Sequence, residues 1–256
     1  MSRPEGEVSP LRCMQEDASA VAETPTQPAL LSADDPTNPV ICGLDEVGRG
    51  ALAGPLVAAA VALPPDFSTL LGPLVRFLRD SKTVPEARRI ELSALIRARA
   101  LAVEVAIIPV TLINQHGIGW ANREAFRQLI GRVDADEYVV DGRVVPPSPR
   151  NRAGRVRCLV KADVSVPAVS AASIVAKTLR DDIMRSLHPR YPAFGWSRNV
   201  GYGTAAHIAA LREHGPSAEH RTLFVRTALG LGTQKETRAA RQATLVTYAD
   251  QTDARV

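Results

Sequence analysis

The stretch Ile41-Cys42-Gly43-Leu44-Asp45-Glu46-Val47-Gly48-Arg49-Gly50 constrains the fold more than any other. An apolar run carries two adjacent carboxylates and then turns through Gly-Arg-Gly. Neighbouring side chains on an extended strand point to opposite faces. If Val40–Val47 is a strand, Asp45 and Glu46 cannot both face water without one also facing something buried. An acid on a buried face is costly unless it is hydrogen-bonded, protonated or ligating a cation. The alternative, open at this point, is a strand that frays into a solvated acidic loop ahead of the glycines.

A chain of 256 residues suits one large domain or two small ones. Aromatic residues make up only 4% of it against 45% hydrophobic overall, so the core has to be built from Ala, Val, Leu and Ile. No window approaches the ~18 uninterrupted apolar residues of a membrane span. The acidic, polar N-terminus lacks the basic-then-apolar pattern of a secretory signal. Cys13, Cys42 and Cys158 have no metal-like spacing and read as reduced thiols, which with the preceding points implies a cytoplasmic protein without a membrane partner. Residues 1–36 hold seven acids and two bases, so a net charge of +4 for the chain leaves +9 on the remainder. A basic body behind an acidic leader suits a polyanionic partner.

Residues 1–36, rich in Pro, Glu, Ser, Thr and Ala, read as a disordered leader. Residues 37–232 form the folded body, and 233–256 a polar, flexible tail. Strands are predicted at Val40–Val47, Leu56–Leu63, Leu101–Val110, Glu137–Asp141 and Arg157–Lys161, the first two forming a hairpin. Helices are predicted over Pro85–Arg99, in a short segment capped by Thr111, and over Ala121–Val133 and Val166–Leu187. Another opens behind Thr204 as N-cap, and a last one runs from Ser217 to about Leu229. Small residues at Ser170-Ala171-Ala172-Ser173 permit the longest helix to pack closely. Three early strands, then βα alternation, then a helical end indicate an α/β fold with a mixed sheet.

Four acids fall at strand ends, where α/β proteins build their sites: Asp45, Glu46, Asp141 and Asp163. Two unit charges ~4 Å apart repel by about 4 kcal/mol at an effective dielectric near 20. A cluster of four therefore calls for a cation, and oxygen-only donors suit Mg²⁺ or Mn²⁺. The bland reading has each acid capping its own loop. Gly48-Arg49-Gly50-Ala51-Leu52-Ala53 also matches a dinucleotide-binding fingerprint, but Pro55 and the short run at 56–63 leave no room for the helix and strand it needs. The glycines instead let backbone amides approach an anion or a sugar, with Arg49 beside them; a plain hairpin turn is the competing reading. Gly201-Tyr202-Gly203-Thr204 offers a flat ring and free amides ahead of a helix, or a tyrosine packed on its own loop. Lys82 is within reach of a phosphate if the fold brings it near one. The five histidines lack zinc spacing, and no G-x-S-x-G nucleophile elbow occurs. The Arg-rich loop 143–155 either touches nucleic acid or is simply solvated.

Taken in order, Gly43–Gly50, Asp80-Ser81-Lys82, Val140-Asp141-Gly142, Lys161-Ala162-Asp163, Ser170–Lys177, Gly201-Tyr202-Gly203-Thr204 with His207, and Gly215-Pro216-Ser217 with His220-Arg221 resemble ribonuclease HII, the type 2 ribonuclease H family. The resemblance covers about residues 38–227. It implies a ribonuclease H-like fold: a five-stranded mixed sheet, its first three strands antiparallel, flanked by helices, with a helical C-terminal part. It implies a two-metal-ion endoribonuclease that hydrolyses the RNA strand of RNA–DNA hybrids and cuts 5′ to single ribonucleotides in duplex DNA, leaving 3′-hydroxyl and 5′-phosphate ends. Asp45, Glu46, Asp141 and Asp163 would hold the Mg²⁺ or Mn²⁺ ions. Gly48, Arg49 and Gly50 would contact the ribose 2′-hydroxyl and adjoining phosphate, Tyr202 the neighbouring sugar, and Lys82 a phosphate. A monomer is expected. Departures from the family pattern are Ala162 for the usual Gly, Val200 for a common Lys, Thr222-Leu223-Phe224-Val225-Arg226 after His-Arg, and the long 143–155 loop. None removes an acid. The competing function is a catalytically silent hybrid-binding protein, and another nuclease or transposase of the same fold is the third reading.

Overall fold

The computed structural model of the chain describes residues 39–64, 67, 84–142 and 154–231. Lys82, the leader, the C-terminal tail and most of the 143–155 loop lie outside the described residues. Five strands, β1 (Ile41–Val47), β2 (Leu56–Ala62), β3 (Ala102–Ile108), β4 (Glu137–Asp141) and β5 (Arg155–Leu159), form one sheet in the order β3-β2-β1-β4-β5. The β1–β2 and β2–β3 pairs are antiparallel, while β4 runs parallel to both β1 and β5. The expected mixed sheet is present, with its three antiparallel strands first.

Helix α1 (Glu86–Arg99) lies between β2 and β3, α2 (Val110–His116) and α3 (Ile118–Arg132) lie between β3 and β4, and α4 (Ala162–Ser165), α5 (Pro167–Leu187), α6 (Trp196–Asn199), α7 (Ala205–His214) and α8 (Thr222–Ala228) follow β5. Every residue of β2 is buried, because both faces of the sheet are covered. On one face Cys42, Leu44, Ala58 and Ala60 pack with Phe126, Leu129 and Ile130 of α3. On the other, Val57, Ala59 and Val61 pack with Ile174 and Val175 of α5 and with Leu92 and Ile96 of α1. The alanine-rich strands answer the shortage of aromatics: small side chains let the helices come close, which offsets the missing ring volume. A third core joins Leu52, Ala53, Met184, Phe194, Trp196 and Leu211 beneath the C-terminal helices.

The closest approach is at Gly43, where a Cβ would lie 2.1 Å from the backbone of Ala168 and Val169 at the start of α5. Backbone cannot swing aside as a side chain does. Gly43→Ala is expected to destabilise the fold by about 2 kcal/mol through overpacking, read as a fall in the denaturant midpoint at unchanged m-value.

Several predicted boundaries move. Strand five ends at Leu159 rather than Lys161, because Lys161 takes a left-handed conformation (φ 59°) and turns the chain into α4. Thr111 lies inside α2, which starts directly after Pro109, and α3 begins at Ile118, three residues ahead of the predicted Ala121. The last helix starts at Thr222 instead of Ser217. The Ser217 amide donates to His220 Nδ1 at 2.9 Å and His220 bridges to Ala53, which holds 217–220 as a turn. Thr204 is the N-cap expected of it, its hydroxyl accepting from the His207 amide.

Candidate active site

Alternation along β1 resolves the question posed by its paired acids. Asp45 lies on the face covered by α5 and takes a hydrogen bond from Ser173 there, while Glu46 shares the opposite face with Leu44. Asp45 is buried and Glu46 half-buried, so neither belongs to a frayed, solvated loop. The parallel pairing of Leu44 with Val140 makes Asp45 and Asp141 the next residues along that ladder. Asp141 then accepts from the Ala162 amide at 2.9 Å, which ties the end of β4 to the first turn of α4 and to the buried Asp163. Two neighbouring strand ends, of β1 and β4, and one short helix thus bring the four acids to one end of the sheet.

Their electrostatics confirm the proximity. Burial first, with Asp141 and Asp163 adding to it and Ser173 and the Glu46 amide opposing it, raises the Asp45 carboxyl to about 7. Burial likewise pushes Glu46 up to about 8, aided by Asp45 and Asp141 and opposed by Arg49.

The turn after β1 lies beside this cluster. Gly48 has φ 91°, in the left-handed region, and a Cβ there would collide with the Arg180 side chain, so glycine is required twice over. Arg49 is exposed with its guanidinium 3.6 Å from Glu46, and nothing crowds Gly50. The amides of Leu52 and Ala53 both donate to the Gly201 carbonyl, at 2.8 and 3.2 Å, so the turn is bonded directly to the loop that carries Tyr202. The Tyr202 ring lies 5.2 Å from the Arg180 guanidinium and 5.8 Å from Lys177 Nζ. Helix α5 therefore links both halves of the site, since Ser173, Lys177 and Arg180 fall at i, i+4 and i+7 on one of its faces.

A cleft of about 490 Å³ opens next to Asp141, lined by Arg49, Asn122, Arg123 and Lys161 among others. Sequence reading named Arg49 and Asp141 there but missed Asn122 and Arg123. On a helix they look like residues of an ordinary solvated face, and only the tertiary fold brings them to the cleft by Asp141. His207 and His220, also without an assigned role, form a buried pair with their Nε2 atoms 3.0 Å apart under Trp196. Burial lowers both, His220 to about 4.

The sequence of residues 42–228 matches the family model for Ribonuclease HII. The chain belongs to the ribonuclease HII family. A Ribonuclease HII from Dechloromonas aromatica is 43% identical over 72% of this chain and 90% of its own length. The ribonuclease HII in a complex with PCNA from Archaeoglobus fulgidus superposes with a TM-score of 0.59 at 27% identity, covering 71% of this chain and 93% of that one. The ribonuclease H2 of Pyrococcus horikoshii shares the fold at a TM-score of 0.62, with 24% identity over 73% and 96% of the two chains. As a ribonuclease HII, the chain is an endonuclease of the ribonuclease H type, a hydrolase acting on nucleic acid. Among the described residues no helix is long and apolar enough to cross a membrane.

The donor set is all carboxylate, which suits a hard divalent cation, and burial first, with repulsion from neighbouring acids second, raises Asp45 to about 7 and Glu46 to about 8. Among the described residues no group of three or more His, Cys, Asp or Glu side chains stands in a geometry that would already hold a metal ion.

Proposed function

We propose that this ribonuclease HII hydrolyses the RNA strand of RNA–DNA hybrids and cuts 5′ to single ribonucleotides in duplex DNA, leaving 3′-hydroxyl and 5′-phosphate ends. The observation that carries the reading is the junction just described: four carboxylates, Asp45 feeling Asp141 and Asp163 and Glu46 feeling Asp45 and Asp141, at one end of the sheet, next to a glycine turn bonded to the Tyr202 loop. Asp45, Glu46, Asp141 and Asp163 would hold Mg²⁺ or Mn²⁺. Such ions, when bound, supply an activated water and neutralise the leaving oxygen in phosphodiester cleavage.

The remaining work belongs to side chains and amides. A 2′-hydroxyl is what distinguishes RNA from DNA at a given nucleotide, and the Gly48–Gly50 turn, exposed and uncrowded at Gly50, gives it backbone groups to bond. Exposed Arg49 reaches the adjoining phosphate while its other neighbour, Glu46, keeps it over the acids. Tyr202 packs against the sugar beside the junction, and Lys82 contacts a phosphate further along. The basic cleft by Asp141 gives the cut strand a path with Arg123 and Lys161 along it.

Incubation with a duplex containing one ribonucleotide, in Mg²⁺ or Mn²⁺, is expected to give one cut on its 5′ side and none in the matching all-DNA duplex. Binding that survives chelation without any product would instead identify a silent hybrid binder. Metal-dependent cutting of the all-DNA duplex would identify a different nuclease.

A further inference from the structure

Two arginines, neither among the residues assigned to the substrate above, lie beneath the recognition turn, fully buried. Arg221 donates from Nε and Nη2 to the Gly54 carbonyl at 3.0 and 2.8 Å, and from Nη1 to the carbonyls of Gly48 and Arg49 at 2.7 and 3.1 Å. Arg180 donates to Pro55 at 3.1 Å, to Ala53 at 3.0 Å and, from the other end of its fork, to Val200 at 2.8 Å. Between them they take carbonyls from both ends of the 48–55 turn and from the residue that opens the Gly201-Tyr202 loop. Among the described residues neither forms an ion pair with a carboxylate.

Stability alone is a poor reason for this arrangement. Burying a cation without a counter-ion is expensive even when carbonyls satisfy its donors, and here two such cations repel each other: Arg180 is among the causes that lower Arg221. A turn this short could be closed by backbone bonds or apolar packing at lower cost. What a guanidinium adds is several donors in one rigid plane, which fixes carbonyls from separate segments in one geometry. Val200 supports the same view. It is β-branched and sits at φ 41°, a strained conformation for such a residue, with its carbonyl held by Arg180.

We propose that Arg180 and Arg221 are positioning residues that lock the Gly48–Gly50 turn to the Tyr202 loop, so that the two elements meet a single ribonucleotide as one rigid reader. The proposal rests on the reading of that turn and of Tyr202 given above. The arginines touch no substrate; they act through the backbone they hold.

The test is a pair of double-mutant cycles on the full chain, Arg180→Lys and Arg221→Lys each combined with Tyr202→Ala, using the duplex with one ribonucleotide. Each lysine variant is expected to lower kcat by about 10–100-fold, as misplacement of a reacting group by an ångström does, with KM changed less than about threefold. In the Tyr202→Ala background the same replacement is expected to cost less than about threefold more, because the element being positioned is gone. Effects that multiply in full, or that appear only in KM, would overturn the proposal, as would failure of both lysine variants to fold, which would assign the arginines to the core. Absence of cleavage 5′ to the ribonucleotide by the parent protein would overturn the functional reading and this proposal with it.

Discussion

Asp141→Asn is expected to lower cleavage of a duplex carrying one ribonucleotide by on the order of 10²–10³-fold, the range seen when one preorganised electrostatic partner is removed from an active site, with the melting temperature unchanged or higher. The separation of activity from stability follows from how Asp141 is held. It ends β4, and one carboxylate oxygen accepts from the Ala162 amide at 2.9 Å, fixing the start of α4. An asparagine oxygen can occupy that place, so the link to Asp163 survives. What disappears is one negative charge, which Asp45 and Glu46 both feel as repulsion. The folded state is thereby relieved, while the ligand set loses an anionic oxygen that a divalent cation needs. Single-turnover cleavage and a thermal melt on the same preparation check both halves. Undiminished activity would remove Asp141 from the reaction, and lost activity with a lost fold would make it a structural acid.

The acids were legible because strand alternation is a hard geometric rule. Two consecutive carboxylates in Ile41–Val47 had to straddle the sheet, and Asp141 ended an apolar strand just ahead of Gly142. The small residues before Ile174 foretold a closely packed helix; that it packs on β1 comes from the fold, with Gly43 meeting the helix backbone at Ala168 and Val169. The missed features depend on contacts between distant residues. Arg180 and Lys177 belong to a helical pattern, where charged residues read as a solvated face; nothing local shows that Arg180 reaches Ala53, Pro55 and Val200. The left-handed turns at Lys161 and Val200 were invisible for the opposite reason. Local sequence argues against them, since neither is a glycine, and tertiary bonds override it. The late start of α8 has the same origin: Ser217 is occupied by His220, whose partner His207 is thirteen positions upstream.

Without divalent cations, the protein is expected to lose stability as pH rises from about 6.5 to 8.5, and Asp45→Asn is expected to remove much of that loss. Both Asp45 and Glu46 are raised, to about 7 and about 8, so between the ordinary carboxylate range and pH 8 the folded chain binds more protons than the unfolded one. Stability is then complete below the ordinary range and falls as pH climbs through the raised values. His220 runs the other way: lowered to about 4 by burial and His207, it costs stability as pH falls from about 6.5, where the unfolded chain takes up the proton that the folded one resists. From pH 6.5 to 8.5 the carboxylates dominate, because Arg221, lowered to about 9, and Cys42, raised to about 12, act mainly above that window. At pH 8 the asparagine variant is expected to gain roughly 4 kcal/mol over the parent, near the value of the Asp45 shift to about 7 at 1.36 kcal/mol per unit. Added Mg²⁺ should stabilise the parent at that pH and the variant much less, because a cation and a proton relieve the same repulsion. Urea denaturation of both proteins at pH 6.5 and 8.5, with and without Mg²⁺, measures each difference. Parallel pH profiles for parent and variant would mean that Asp45 does not hold a proton in the folded state, and a magnesium response of equal size in both would place the cation elsewhere.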